Sequence, residues 1–180
     1  MELITLDDVR KTYYLGEVDV PVLKGVSATV RQGELVALTG QSGSGKSTLM
    51  NILGCLDRPT GGRYWLDGVE VSELTLDDRA VLRGRKIGFV FQNFNLLART
   101  SALDNVMMPL AYAVPRTPDR EGRERAKGLL NLVGLADRRM FRRRARNATR
   151  TLGGIRCRGF MVVRSPRSRG YAVARAARGA

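Results

Sequence analysis

An α/β fold built around a phosphate-binding loop is what this 180-residue sequence predicts, and three observations predict it. Residues Gly40-Gln41-Ser42-Gly43-Ser44-Gly45-Lys46-Ser47-Thr48 run glycine, four residues, Gly-Lys-Ser, the spacing of a P-loop. The loop is framed by a short apolar run, Glu34–Thr39, and by a helical stretch beginning Leu49-Met50-Asn51-Ile52-Leu53. A second short apolar run, Lys86–Phe91, has the length and composition of another buried strand.

Taken in order, Leu3–Leu6, Val9–Tyr14 and Val22–Val30 read as antiparallel strands punctuated by Gly16 and Pro21. The run before the P-loop reads as a buried parallel strand. After the P-loop helix, Arg63–Leu66 and Val69–Val71 form a hairpin across Asp67-Gly68, a pair that accepts the positive φ of a tight turn. Thr75 is placed to cap a helix over 76–85, with Asp77 and Asp78 favourable in its first turn. A helix near 102–112 is capped by Thr100 or Ser101. Another covers about 118–133, with Pro118 at its first position, Gly134 past its end, and Ala126, Leu129, Leu130 and Val133 on one face.

The loop residues carry a specific chemistry. Glycines let successive backbone N–H groups turn inward toward phosphate oxygens. Lys46 is placed to reach the β- and γ-phosphates, the Ser47 hydroxyl to sit on Mg²⁺, and the positive end of the following helix faces the anion.

The net charge of +14 suggests a nucleic-acid or membrane-surface binder until it is divided along the chain. Residues 1–136 hold 17 Lys and Arg against 16 Asp and Glu, whereas residues 137–180 hold 14 arginines against the single acid Asp137. From Phe141 the sequence shows neither helical nor strand period, and small residues and arginine dominate. A like-charged segment poor in large apolar residues does not offset its ordering entropy, so 141–180 is expected to lack order. Cys55 and Cys157 provide no disulfide framework and suit a reducing compartment. No apolar run reaches the roughly 18 residues of a membrane span, and no signal-peptide pattern opens the chain, so any membrane association is expected through a partner.

Several separated blocks now point one way. Ser47–Asp57 reads Ser-Thr-Leu-Met-Asn-Ile-Leu-Gly-Cys-Leu-Asp, Phe89–Leu97 reads Phe-Val-Phe-Gln-Asn-Phe-Asn-Leu-Leu, and Asp104-Asn105-Val106 and Pro109 follow. Over residues 2 to about 140 the chain resembles ATP-binding subunits of ABC transporters, in the macrolide-export and lipoprotein-release branch. The resemblance implies a P-loop NTPase core of ABC type, with an N-terminal antiparallel β subdomain and a partial helical subdomain at about 93–135 that docks on a transmembrane partner. It makes 1–140 a partial nucleotide-binding domain, incomplete at its C-terminal side. By the same resemblance the ATP-binding residues are Tyr13, Gly40, Gln41, Ser42, Gly43, Ser44, Gly45, Lys46, Ser47, Thr48 and Gln92. Tyr13 matches the aromatic residue that stacks on adenine; the alternative is an ordinary strand tyrosine. Gln92 matches the Q-loop glutamine, which with Ser47 serves Mg²⁺ and also senses the membrane partner.

The family pattern then breaks. A Leu-Ser-Gly-Gly-Gln signature should follow within about ten residues of Met140, but the nearest stretch, Thr151–Arg156, lacks the serine and the glutamine. An apolar strand ending Asp-Glu should come next, and beyond Asp137 there is no acid. A switch histidine should close the set, and the sequence contains no histidine. Phosphoryl transfer depends on charge positioned around the γ-phosphate, so no ATP turnover by this chain alone is expected. Nor is a composite site between two copies, because each P-loop needs the other subunit's signature. Without the Asp-Glu strand, the P-loop strand is expected to expose a parallel edge. One expectation for 141–180 is a reading-frame shift near codon 140, since its composition is that of a G+C-rich gene read out of frame. The rival is a genuine Arg-rich tail that binds nucleic acid or anionic lipid through phosphates. Translating the other two frames past codon 140 tests the shift, and absence of both Ser-Gly-Gly-Gln and Asp-Glu there refutes it.

The expected function is therefore an ATP-binding subunit that energises export or lipoprotein release. Its cofactors are ATP and Mg²⁺, its partners a permease and a second ATPase subunit, and its place the inner face of the cell membrane. Two alternatives remain at this level. A small P-loop kinase or other NTPase would need its own Mg²⁺-binding Asp and an arginine lid. A basic-tailed nucleic-acid-binding protein draws only on the tail, which has just Phe141, Phe160 and Tyr171 for base stacking.

Overall fold

The computed structural model describes residues 1–90, 96–113, 115–140, 157–164 and 171–177. The chain divides into two compact units, Met1–Gln92 with Arg156–Ala180, and Asn93–Ile155.

In the first unit, β1 (Glu2–Leu15) and β2 (Val18–Arg31) form a long antiparallel hairpin where the sequence suggested three shorter strands. Pro21 does not end β2, because β2 lies at the edge of its sheet and the register slips at Lys11/Thr12, opposite the proline. An edge strand tolerates a missing N–H donor. On its other side β1 pairs with β4 (Gly61–Leu66), which turns into β5 (Val69–Glu70). Asp67 (φ 50°) and Gly68 (φ 80°) both take positive φ at this turn, as the Asp-Gly pair predicts.

A second sheet holds β3 (Leu35–Leu38) and β6 (Ile87–Val90), with β7 (Cys157–Arg164) and β8 (Tyr171–Ala177) between them. Among the described residues its order is β3-β8-β7-β6. Here two expectations are corrected. The 141–180 segment is not without order throughout: it supplies two strands, and β8 runs parallel to β3, Leu35 opposite Val173 and Leu38 opposite Ala176. Phe160–Val163 is a four-residue apolar run and Tyr171–Ala174 holds no charge, enough to complete strands once a sheet edge offers its N–H and C=O groups. The edge of β3 expected to be bare is thus paired. The remainder of 141–180 lies outside the described residues. Nor is β3 a buried strand, since Leu35 is 76% exposed. Among the described residues β3 has a neighbour on one side only.

Helix α1 (Lys46–Leu53) buries Leu49, Ile52 and Leu53 in one cluster with Leu3, Ile4, Leu6 and Val9 of β1, Tyr64 and Leu66 of β4, and Val163 of β7. Gly54 closes α1, and a Cβ there would stand 2.5 Å from the Phe89 ring, so glycine permits this approach of β6. Helix α2 (Leu76–Lys86) is capped as expected: the Asp78 N–H donates to Thr75 Oγ1 at 3.2 Å, and Thr75 Oγ1 donates to the Asp78 carboxylate at 2.6 Å.

The second unit packs α3 (Ala102–Met107), continued as a 3₁₀ turn over Met108–Tyr112, against α4 (Asp119–Leu132). Ser101 caps α3 with the same reciprocal pair, accepting from the Asp104 N–H at 3.0 Å and donating to its carboxylate at 2.6 Å. Pro118 falls at the cap of α4, one residue before its first helical position. The core here is small: Leu103, Ala126 and Leu130, with Val106 and Met107 against them. The apolar stripe read along α4 therefore splits, because Leu129 and Val133 are 49% and 65% exposed.

Candidate functional site

The loop between β3 and α1 is shaped by its glycines. Gly43 (φ 86°) and Gly45 (φ 82°) lie in the left-handed region that side chains disfavour. Gly45 is also pressed against β2: a Cβ would meet Leu23 Cδ2 at 2.8 Å and the Val22 carbonyl at 3.1 Å. Contact with a flexible side chain and a strand carbonyl thus fixes where α1 begins. The first intrahelical bond there is Leu49 N–H to the Gly45 carbonyl at 2.8 Å. The amides of Lys46, Ser47 and Thr48 precede it and face the loop end of the helix dipole.

Lys46 folds back over the loop. Its ammonium donates to the Gly40 carbonyl at 2.7 Å, the Gln41 carbonyl at 2.5 Å and Ser44 Oγ at 3.2 Å, which uses all three N–H bonds. A cation, a helix N-terminus and glycines with positive φ therefore converge on one turn. That donor set fits a chain of phosphates. Ser47 is exposed at the first turn of α1 and offers a hydroxyl oxygen of the kind Mg²⁺ takes. Among the described residues no cluster of three or more His, Cys, Asp or Glu could hold a metal ion. Gln92, the other metal contact expected, lies outside the described residues.

Tyr13 is half-buried on β1 and is not directed to the loop by its polar contact. Its hydroxyl donates to Asp57 Oδ2 at 3.1 Å, and the Lys11 ammonium stands 5.0 Å from the ring centroid. The sequence reading passed over Asp57 and Lys11. The signal was there, a lysine alternating with Val9 on the core-facing side of a strand, a position that demands a counter-charge. Burial alone would raise the Asp57 carboxyl, but hydrogen bonds from Lys11, the Arg58 N–H and Tyr13 outweigh it and hold the group below its ordinary value. Cys55, at the other side of this turn, is 2% exposed, and burial pushes its thiol up to about 11 despite Tyr64, Arg83 and Arg79 nearby. It is a packing residue of the core.

Residues 23–163 match the family model described as ABC transporter. The chain belongs to the ABC transporter family. It is 65% identical over 137 residues to the "Macrolide export ATP-binding/permease protein MacB" of Syntrophobacter fumaroxidans, 76% of this chain and 19% of that protein. It is 56% identical over 138 residues to an "Uncharacterized ABC transporter ATP-binding protein" of Thermotoga maritima, 77% of this chain and 57% of that one. Among solved structures, the ATP-binding cassette MJ0796, in a dimeric post-hydrolysis state bound to ADP and Pi, superposes with a TM-score of 0.67 at 40% identity. That match covers 78% of this chain and 61% of the cassette. The chain thus spans about a fifth of the export protein and roughly three-fifths of the two shorter relatives. ABC ATPases bind nucleotide, which agrees with the donor set around Lys46.

Proposed function

We propose that this chain is the ATP-binding part of an ABC transporter that energises export or lipoprotein release. The observation that carries the reading is the Gly40–Thr48 loop, with its left-handed glycines and the Lys46 ammonium seated over it at the head of α1. In this reading Lys46 exchanges its carbonyl contacts for β- and γ-phosphate oxygens, the loop amides hold the phosphates, and Ser47 is the protein ligand to Mg²⁺. Tyr13 contacts the base, and Gln92 serves the metal and the partner. Mg²⁺ supplies charge neutralisation on the phosphates when bound. The partners are a permease and a second ATPase subunit, which place the chain at the inner face of the cell membrane. Among the described residues no helix is long and apolar enough to cross a membrane. The kinase and nucleic-acid alternatives are not favoured by the family match.

The same reading makes these 180 residues, taken alone, a binder without turnover, because residues 138–180 hold no carboxylate to polarise a water. Titration calorimetry with ATP and Mg²⁺ should show binding that Lys46→Ala weakens about 30- to 100-fold, the weight of a charge-assisted phosphate contact. Phosphate release by the purified 180-residue chain should stay at background. Unweakened binding by the Lys46 variant defeats the site assignment, and sustained phosphate release defeats the statement about turnover.

A further inference from the structure

β1 places Val9, Lys11 and Tyr13 at alternate positions, and although the ladder register shifts at Val9/Arg10 and at Lys11/Thr12, Lys11 and Tyr13 both reach Asp57. Val9 is fully buried and Lys11 only 8% exposed. The Lys11 ammonium donates to Asp57 Oδ1 and to the Arg58 carbonyl, both at 2.7 Å. Asp57 Oδ1 also accepts from the Arg58 N–H at 2.7 Å, and Oδ2 accepts from the Tyr13 hydroxyl. Tyr13 is thereby held twice, at its hydroxyl by a carboxylate and over one ring face by a cation. Its neighbour Tyr14, on the opposite side of β1, is 69% exposed. Asp57 follows closely on α1, the helix that begins at Lys46, so one short segment governs both the loop end and the tyrosine.

We infer that Asp57, supported by Lys11, is a positioning residue for purine-base binding: it fixes the Tyr13 ring so that the face away from Lys11 is a preformed stacking surface. The inference rests on Tyr13 being the base contact. A ring already immobilised loses little freedom when a base stacks on it, which favours a nucleoside triphosphate over a bare triphosphate. Charge matters as much as shape, since the carboxylate must accept from an ammonium and a hydroxyl together.

The experiment titrates the full chain with ATP and, separately, with inorganic tripolyphosphate, and reads the ratio of the two affinities. Tyr13→Ala should reduce the preference for ATP and leave tripolyphosphate binding unchanged. Tyr13→Phe keeps the ring and the Lys11–Asp57 pair but removes the tether, and it should lower the ratio about three- to tenfold. Asp57→Asn should do the same, and the double variant should go no further than either single one. Because Asp57→Asn leaves a buried ammonium without its counter-charge, Tyr13→Phe decides the matter where the Asn variant does not fold. If Tyr13→Ala lowers the ratio while Tyr13→Phe leaves it at the wild-type value, Tyr13 contacts the base but Asp57 does not position it, and the inference fails alone. If Tyr13→Ala changes nothing, the base-contact reading fails and takes the inference with it.

Discussion

The region around α1 and the strand pair β7–β8 belong to one compact unit yet are built on opposite terms. Around α1 each local signal agrees with the others: alternation in β1, Asp-Gly at the β4–β5 turn, glycines at the loop and a reciprocal cap on α2. Among the described residues the main cluster buries thirteen, and twelve of them come from residues 3–71. β7 and β8 come from a segment with arginine but no acid, and Val163 of β7 reaches that core. Agreement between local preference and final fold marks a segment that shapes the structure, whereas β7 and β8 take a place that β3 and β6 leave open between them.

The difference can be broken most directly by removing residues 141–180. With β7 and β8 gone, β3 and β6 each lose their described sheet neighbours, and thermal unfolding should show the largest loss of stability of any change considered. An unchanged melting temperature would mean the two strands contribute nothing in solution. Next in size, Ile52→Ala should cost about 2–5 kcal/mol by denaturant titration, because Ile52 is fully buried at the centre of the α1 core. Val163→Ala removes two methyl groups from a site that is 1% exposed and should cost about 2 kcal/mol. No measurable cost at Val163 would mean that β7 does not pack on this core in solution. Smaller again, Thr75→Ala should cost about 1 kcal/mol through the lost cap on α2.

A last contrast is read as a pH dependence. The Asp57 carboxyl lies below its ordinary value in the folded chain, so its ion pair with Lys11 stabilises above the unfolded carboxylate pKa. That contribution is lost as pH falls through the folded value. Asp57→Asn should therefore flatten the acid limb of stability below about pH 4. A limb that is as steep in the variant as in the wild-type chain removes Asp57 from the account.

Much of this was legible along the chain because the physics is short-range. A capped helix needs Thr75 and Asp78, three residues apart, and the turn at Asp67-Gly68 needs only its own two residues. The loop glycines, Lys46 and Ser47 are likewise contiguous. Where sequence reading went astray, the deciding contact spanned many residues. The stripe on α4 was periodic, but periodicity does not say how wide a partner α3 offers, and α3 covers Ala126 and Leu130 while leaving Val133 out.

By itself the sequence determined the Gly40–Thr48 loop, the places of the helices with the caps at Thr75 and Ser101, and the Asp67-Gly68 turn, since each is encoded by neighbours within a turn or two. Only the tertiary structure decided that Tyr171–Ala177 would lie parallel to Leu35–Leu38, and that Tyr13 and Lys11 would meet Asp57 more than forty residues away. Both are pairings of groups left unsatisfied locally, a strand edge in one case and a buried ammonium in the other. Such groups take their partners from wherever the closed fold brings them.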